Sequence, residues 1–294
     1  MLTCLLLSLL TAVDTLTVTL AGDLLLDRGV RRVIEHRGVD HLFSPSVDAV
    51  FTTSHVVVAN LECPATKIRQ PNFKRFVFRA ESEWLPVLKH HGITHLNLAN
   101  NHSIDQGRDG LTDTRSNILA AGMTPVGGGA NMAEASRPVL LASAPRRVWL
   151  LTSLRLSLEN FSYLPDRPCV SQEPLDSIIN KVKQLKAHDS TCYVIVQLHW
   201  GGEHTLKPVP QQRHEAHQLI DAGADALVCH HTHTLQSVEH YRGKPVYYSI
   251  GNFIFDQHRP LNVRVCLVRI SITATDARTE TLPIIIEGCV PRLE

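Results

Sequence analysis

"DALVCHHTHTLQ", residues 225–236, carries three histidines within four positions at the end of an apolar run. Successive side chains of a β-strand point to opposite faces. A strand through Ala226–Cys229 that continues into His230 would put His231 and His233 on one face and His230 on the other. Two imidazoles so spaced are a common grip for a transition metal. A merely polar strand end is the plain alternative, because an isolated H-x-H is also met by chance.

Outward from this stretch the same plan recurs. "RHEAHQLIDAGAD" has helical spacing and breaks at Gly223, while "STCYVIVQLHWGGEH" (190–204) reads as a strand ending at His199. "EWLPVLKHHGITHLNLANNHSID" (83–105) gives an amphipathic helix, Gly92 as its cap, a short strand, then Asn100, Asn101 and His102. "VDAVFTTSHVVVANLE" (47–62) feeds a helix end into a β-branched strand at 55–59, with Asn60 and Glu62 just beyond. "TLTVTLAGDLLL" (15–26) alternates and closes on Gly22-Asp23, and "RGVRRVIEHRG" after it has helical spacing. Polar residues thus fall at the carboxyl ends of strands in five separate units. In α/β sheets that edge is where ligands bind, which favours the metal reading of the opening stretch. "GGG" at 127–129 lacks the lysine and threonine of a phosphate loop and reads as a turn. "CLVRISITATDARTETLPIIIEG" reads as a hairpin about Asp276-Ala277.

The chain has 294 residues, 44% of them apolar, and no Pro/Gly/Ser linker divides it. The expected organisation is an N-terminal apolar segment over 1–15 followed by a single domain over 16–294. With 29 basic and 28 acidic residues the net charge is +1, so no strong field draws nucleic acid, and no nucleic-acid partner is expected. Seven cysteines without a C-x-x-C pair read as buried small hydrophobes. The stretch Leu5–Val13 is too short to span a bilayer. It resembles the core of a secretory signal but lacks the positive flank. The expected location is extracytoplasmic or membrane-associated, with an N-terminal strand and a cytoplasmic location as the alternatives.

In chain order the strand-end residues are Asp23, Glu62, Asn101, His102, His199, His231 and His233. Carboxylates, an amide oxygen and imidazoles together suit one or two divalent ions such as Mn, Zn or Fe, whereas a structural zinc site would favour thiolates. Each residue also has a structural explanation by itself: a helix cap for Asp23, a turn for Asn101, a satisfied core histidine for His199. The shared order argues against seven independent roles. His90, His91, His95, His214 and His217 lie outside these blocks and read as solvent-facing or core groups.

That order resembles the calcineurin-like metallophosphoesterases. More closely, "AGDLLLDRGV", "VANLECPAT", "HLNLANNHSIDQGRDGL", "VQLHWGGEH", "CHHTHTLQ" and "YYSIGNFIFDQ" resemble the successive blocks of the CapA family of poly-γ-glutamate capsule-synthesis proteins, from about Leu16 to Gln257. The resemblance implies a mixed α/β fold, a four-layer αββα sandwich of metallophosphatase type. It implies Asp23 and His233 on one metal, Glu62 between the metals, and Asn101, His199 and His231 on the second. His102 would donate a proton to a leaving group or stabilise developing charge. Arg28, Arg108, Gly201, Gly202 and Asn252 are further candidates for substrate contact, with plain surface charge the alternative for the arginines. Two departures stand out. Leu25 occupies the place of the usual Asp-x-His histidine, which implies one ion held weakly or not at all, and Glu62 replaces the usual aspartate. The implied function is synthesis, export or anchoring of an anionic polymer such as poly-γ-glutamate, or a related carboxylate or phosphate substrate, alongside membrane synthase components and with metal-dependent hydrolysis as the candidate chemistry. A metal-dependent phosphoesterase and a non-catalytic metal-stabilised binding module are the alternatives.

Overall fold

A computed structural model describes residues 14–158 and 161–294, so all but the last two positions of the 1–15 segment lie outside the described residues. Among the described residues, no helix is long and apolar enough to cross a membrane. Two sheets organise the chain. The first has eight strands; its spine runs Val290–Leu293, Ala277–Glu287, Arg264–Ile272, Leu16–Leu24, Val56–Leu61, His95–Asn97 and Thr124–Val126, and Asn252–Ile254 pairs with the end of Leu16–Leu24. The second has six, in the order Val238–Tyr241, Lys244–Tyr247, Ala226–Val228, Tyr193–His199, Val148–Leu154 and Val139–Ala142.

Alternation explains how these strands stack. Val18, Leu20, Val56 and Val58 meet Leu150, Ile195, Ala226 and Val228 in an apolar layer between the sheets. The opposite face of the first sheet, with Val57, Ala59 and Leu61, packs on Val30 and Ile34 of the helix Arg28–Arg37 and on Val47 and Phe51 of Pro45–Thr52. The outer face of the second sheet, with Val194, Val196 and Leu198, packs on Ile178 and Val182 of Leu175–His188 and on Ala216 and Leu219 of Pro210–Asp221. The result is the αββα sandwich, and burial on both faces explains why its central strands read as near-continuous apolar runs. Six described cysteines are free and buried, in keeping with the sequence reading.

The first four strands from Leu16–Leu24 to Thr124–Val126 run parallel, as do Val148–Leu154, Tyr193–His199 and Ala226–Val228. Their carboxyl ends therefore open on one edge of the molecule. Some local expectations need correction. The strand holding the opening stretch ends at Val228, and His230 makes only an isolated bridge to His199. In the "GGG" run, Gly127 has φ 76°, but Gly128–Gly129 form a short strand paired with Cys169–Val170. The strand expected at 55–59 spans Val56–Leu61 and includes Asn60.

Candidate metal centre

At the shared carboxyl edge the chain assembles a buried polar cluster. Asp23 comes from the end of the first strand, Glu62 from the residue after Val56–Leu61, and His199 is the last residue of its strand. Asn101 and His102 follow His95–Asn97, and His231 and His233 sit in the turn after Ala226–Val228. Two groups of ligand atoms result, each within 4.8 Å: Glu62, His199 and His231; and Asp23, Glu62 and His233. Glu62 belongs to both. Its Oε1 lies 3.6 Å from His199 Nε2 and its Oε2 lies 3.9 Å from His233 Nδ1. Asn101 Oδ1 is 2.8 Å from His199 Nε2, and His231 Nδ1 is 3.1 Å from the same nitrogen.

What these atoms lack is as informative as what they touch. Both carboxylate oxygens of Glu62 and Oδ2 of Asp23 are buried without a hydrogen bond. His233 Nδ1 lies 3.2 Å from Asp23 Oδ2 but makes its hydrogen bond to Asn252 Oδ1 at 2.9 Å. A buried polar atom left unsatisfied costs about 1–3 kcal/mol, and more when charged. Three such oxygens in one spot fit a site for divalent cations, which take several carboxylate oxygens at once. Soft thiolates are absent from both groups, which suits borderline-hard ions.

Electrostatics points the same way. Burial, reinforced by Asp23, pushes the Glu62 carboxyl well above the usual carboxylate range. Burial opposes ionisation of Asp23 too, yet His233, His230 and Asn60 bring it below its ordinary value. Burial and the neighbouring imidazoles hold His199 well below its ordinary value, and burial with His233 brings His231 down to about 4. Both are therefore neutral at pH 7, the state in which imidazole binds metal. His233 is the exception. Burial would lower it, but Glu62 and Asp23 raise it to about 9, so without metal a proton on this ring balances the two carboxylates.

The backbone around the cluster is unusual. Among the described residues, six non-glycine residues have positive φ, and four of them, Arg28 (52°), His204 (59°), His231 (95°) and His233 (56°), border this site. The other two, Arg242 and Cys289, occupy hairpin turns beside Gly243 and Gly288. Such conformations cost of order 1–3 kcal/mol and gather at functional sites. They also overturn the face-parity expectation for the opening stretch. His231 and His233 reach the cluster through a turn, not by strand alternation. His230 is fully buried beside them instead of pointing away, with Nδ1 3.6 Å from Asp23 Oδ1 and Nε2 3.1 Å from Gln197 Nε2.

His102 sits against this cluster, close enough for its charge to bear on His199 and His231. Its Nδ1 lies 2.8 Å from Asp105 Oδ2, and Lys74 Nζ lies 2.5 Å from the other oxygen of that carboxylate. Lys74 also donates to the Asn101 carbonyl at 2.9 Å, so one buried ammonium steadies both Asn101 and the partner of His102. Burial lowers the His102 pKa against the pull of Asp105.

The other candidates divide. Arg28 lies over the rings of Phe78 and Phe255, pairs with Asp256, and its charge reaches Glu62. Arg108 does not join the cluster: it donates to the carbonyls of Pro168 and Ser162 and stacks on Phe161, fastening a loop. Asn252 is fully buried at the edge of the site, its Oδ1 accepting from the same His233 Nδ1 that faces Asp23 and Glu62. Gly201 has φ 86°, and a Cβ there would come 2.7 Å from Gln212 Nε2, so packing accounts for it. Gly202 is exposed, with Thr205 Cγ2 the nearest atom to a Cβ there, at 3.5 Å. Sequence reasoning places Asn60 at a strand end but leaves it out of the candidate site, although its amide donates to Asp23 at 2.8 Å and approaches His199 Nδ1 at 3.3 Å while its oxygen receives Asn97 and Asn100. Its place one residue before the end of a buried strand was the available signal.

Residues 17–257 match the family described as bacterial capsule synthesis protein PGA_cap. The PGA biosynthesis protein CapA of Bacillus subtilis is 33% identical over 249 residues, covering 83% of this chain and 64% of that protein. The capsule biosynthesis protein CapA of Bacillus anthracis is 34% identical over 251 residues, covering 83% of this chain and 61% of that one. The chain thus spans less than two thirds of the length of these relatives. Among solved structures, the NAD nucleotidase of Haemophilus influenzae superposes with a TM-score of 0.51 at 11% identity, over 92% of this chain and 50% of that one. A hypothetical protein from Thermus thermophilus gives 0.53 at 14% identity, over 91% and 99%. At such identities the likeness is one of fold, and the fold is that of the metallophosphatases.

Proposed function

This chain belongs to the bacterial capsule synthesis protein PGA_cap family, and on that premise we propose that it acts at the cell surface in the synthesis, export or anchoring of poly-γ-glutamate or a closely related anionic polymer, through a metal-dependent site. The observation that carries the metal part is Glu62, buried between two sets of ligands with neither oxygen hydrogen-bonded. In this reading Asp23, Glu62 and His233 hold one divalent ion, and Glu62, Asn101, His199 and His231 hold the other. Mn, Zn and Fe all suit such donors. When bound, these ions polarise a carbonyl or phosphoryl oxygen and make water a better nucleophile.

The chain's own residues supply the rest. Asp105 fixes the His102 proton on Nδ1 and leaves Nε2 free to take a proton from water and return it to a leaving group. Arg28, held by Asp256, carries its charge close enough to reach Glu62 and would share it with a substrate carboxylate only alongside that partner. Leu25 is fully buried in the apolar cluster with Leu24 and Leu26, so the Asp23 side has one imidazole fewer than ordinary metallophosphoesterases and holds its ion more loosely. That imbalance weakens the two-ion clamp on which phosphoryl displacement relies, and it favours a γ-linked polycarboxylate over a phosphate ester. The test is to load the purified protein with Mn, Zn or Fe and present γ-linked oligoglutamate and a chromogenic phosphodiester. Metal-dependent binding or cleavage of the γ-linked chain is expected. Efficient phosphodiester hydrolysis with no response to the γ-linked chain would overturn the reading.

The same charges set a pH dependence. His233 has a folded-state pKa of about 9, above its ordinary 6.5, so its contribution to the metal-free protein is full below about pH 6.5 and is lost as pH rises through about 9. Glu62, also raised, acts in the same direction. Metal binding must expel that proton, so affinity should climb by up to about tenfold per pH unit below 9. Thermal melts from pH 6.5 to 9.5 should therefore fall with chelator present while the margin conferred by metal widens; parallel curves would contradict the assignment.

A further inference from the structure

Beyond the cluster, the molecule opens into two adjoining clefts. Phe255 lies 4.7 Å from the His233 ring, and Arg28, stacked on Phe255, pairs with Asp256. Asp256 lines a cleft of about 650 Å³ between the helix Arg28–Arg37 and the C-terminal strands, with Arg32, His36 and Arg37 on one wall and Arg292 on the other. A second cleft, of about 450 Å³, includes Arg259 and Asn262. Asn262 donates to the His233 carbonyl at 2.9 Å, and His204, also in this cleft, has its ring 6.2 Å from that of His233. His258 lines both clefts. The two clefts share His258 and are taken together as one trough, which connects to the cluster through intermediaries: Asp256 with Arg28 in the first cleft, Asn262 and His204 in the second.

The charge of this trough is uncompensated. Of the carboxylates lining it, Asp256 is engaged by Arg28, and Glu287 lies 3.5 Å from Arg292. Arg32, Arg37 and Arg259 have no carboxylate partner among the described residues; the Arg37 guanidinium meets only the His41 ring, at 3.2 Å. Single unpaired arginines are ordinary on a surface. Three along one trough, in a chain whose net charge is +1, concentrate positive charge in the clefts beside the cluster.

We propose that this trough is a binding track for an extended polycarboxylate, which Arg32, Arg37 and Arg259 hold on either side of the metal centre. The inference rests on the substrate reading above and adds a second site to it. A γ-linked glutamate chain presents one free carboxylate per residue along a flexible backbone, and guanidinium groups pair with such carboxylates in forked geometry. Because these arginines are exposed, each contact is weak and salt-sensitive, and the track acts through number.

The experiment uses metal-loaded protein and fluorescein-labelled γ-linked glutamate chains of three and ten residues, with an α-linked decamer as comparison, followed by anisotropy at two salt concentrations. The variant is Arg32→Ala/Arg37→Ala/Arg259→Ala, which leaves every cluster residue in place; metal content is measured alongside. The γ-linked decamer is expected to bind more tightly than the trimer. The variant should lose about tenfold in decamer affinity, with little change for the trimer or in metal content. Equal decamer binding by variant and wild type would overturn the track while leaving the metal-site reading intact. Equal binding of α- and γ-linked decamers, both lost in the variant, would keep the track but remove the γ-specific substrate. No binding of any chain by the wild type would overturn both.

Discussion

Glu62→Met is expected to move metal binding and metal-free stability in opposite directions. Glutamate at this position is shared by both ligand groups, so methionine removes a hard oxygen donor from each. Loss of an outer-shell partner lowers metal affinity by about 10–100-fold, and loss of a shared inner ligand should exceed that at both positions. In the metal-free protein the same carboxylate is fully buried, without a hydrogen bond, and close to Asp23, which raises its pKa further. Methionine has similar bulk and no charge to desolvate, so the chelated variant should be more stable than the chelated wild type by about 1–3 kcal/mol. His233 keeps Asp23 at 3.2 Å as its counter-charge, which limits the repulsion set free by the change. Melting curves with chelator and with Mn test both halves. A variant that is less stable without metal, or one that retains two ions, would show that Glu62 is a structural carboxylate with no share in a metal centre.

The pattern of the sequence makes the layers of this fold readable, because parallel strands buried on both faces are rich in Val, Ile and Leu and each ends abruptly in polar residues. Asp23, Glu62, Asn101, His199, His231 and His233 are legible for that reason: each stands where an apolar run stops. What the pattern does not convey is how the backbone turns once a strand is over. His230 is misjudged because parity holds only within a strand, and the chain leaves the strand at Val228 for positions with φ of 95° and 56°. Long-range pairing hides Lys74, which lies in a stretch without periodicity and reaches Asp105 and Asn101 only through the fold. Arg108 shows the converse: a charge near a motif says nothing of its partner, and here carbonyls of a neighbouring loop claim it.

Gly22→Ala should be the most disruptive single methyl group at this site. The strand Leu16–Leu24 is bordered near its end by the chain at Gly251–Asn252, and the Asp23 amide donates to the Gly251 carbonyl at 3.1 Å. A Cβ on residue 22 would lie 2.0 Å from that carbonyl oxygen and 2.9 Å from the Asn252 carbonyl carbon. Both are backbone atoms, so no side chain can rotate out of the way and one strand end must move. The movement separates Asp23 from Asn252, the residue that accepts from His233, and so disturbs two members of one ligand group together. Overpacking of this kind costs about 1–3 kcal/mol, a fall in Tm of roughly 2–12 °C for a chain of this size. Gly202→Ala is the control, since the nearest atom to its Cβ is Thr205 Cγ2 at 3.5 Å, an ordinary contact. That variant should keep wild-type stability within about 0.5 kcal/mol, as surface substitutions usually do. Elemental analysis should then find metal reduced in Gly22→Ala and unchanged in Gly202→Ala. If Gly22→Ala keeps both its Tm and its metal, the close approach of these two strand ends is not what holds Asp23 and His233 in register.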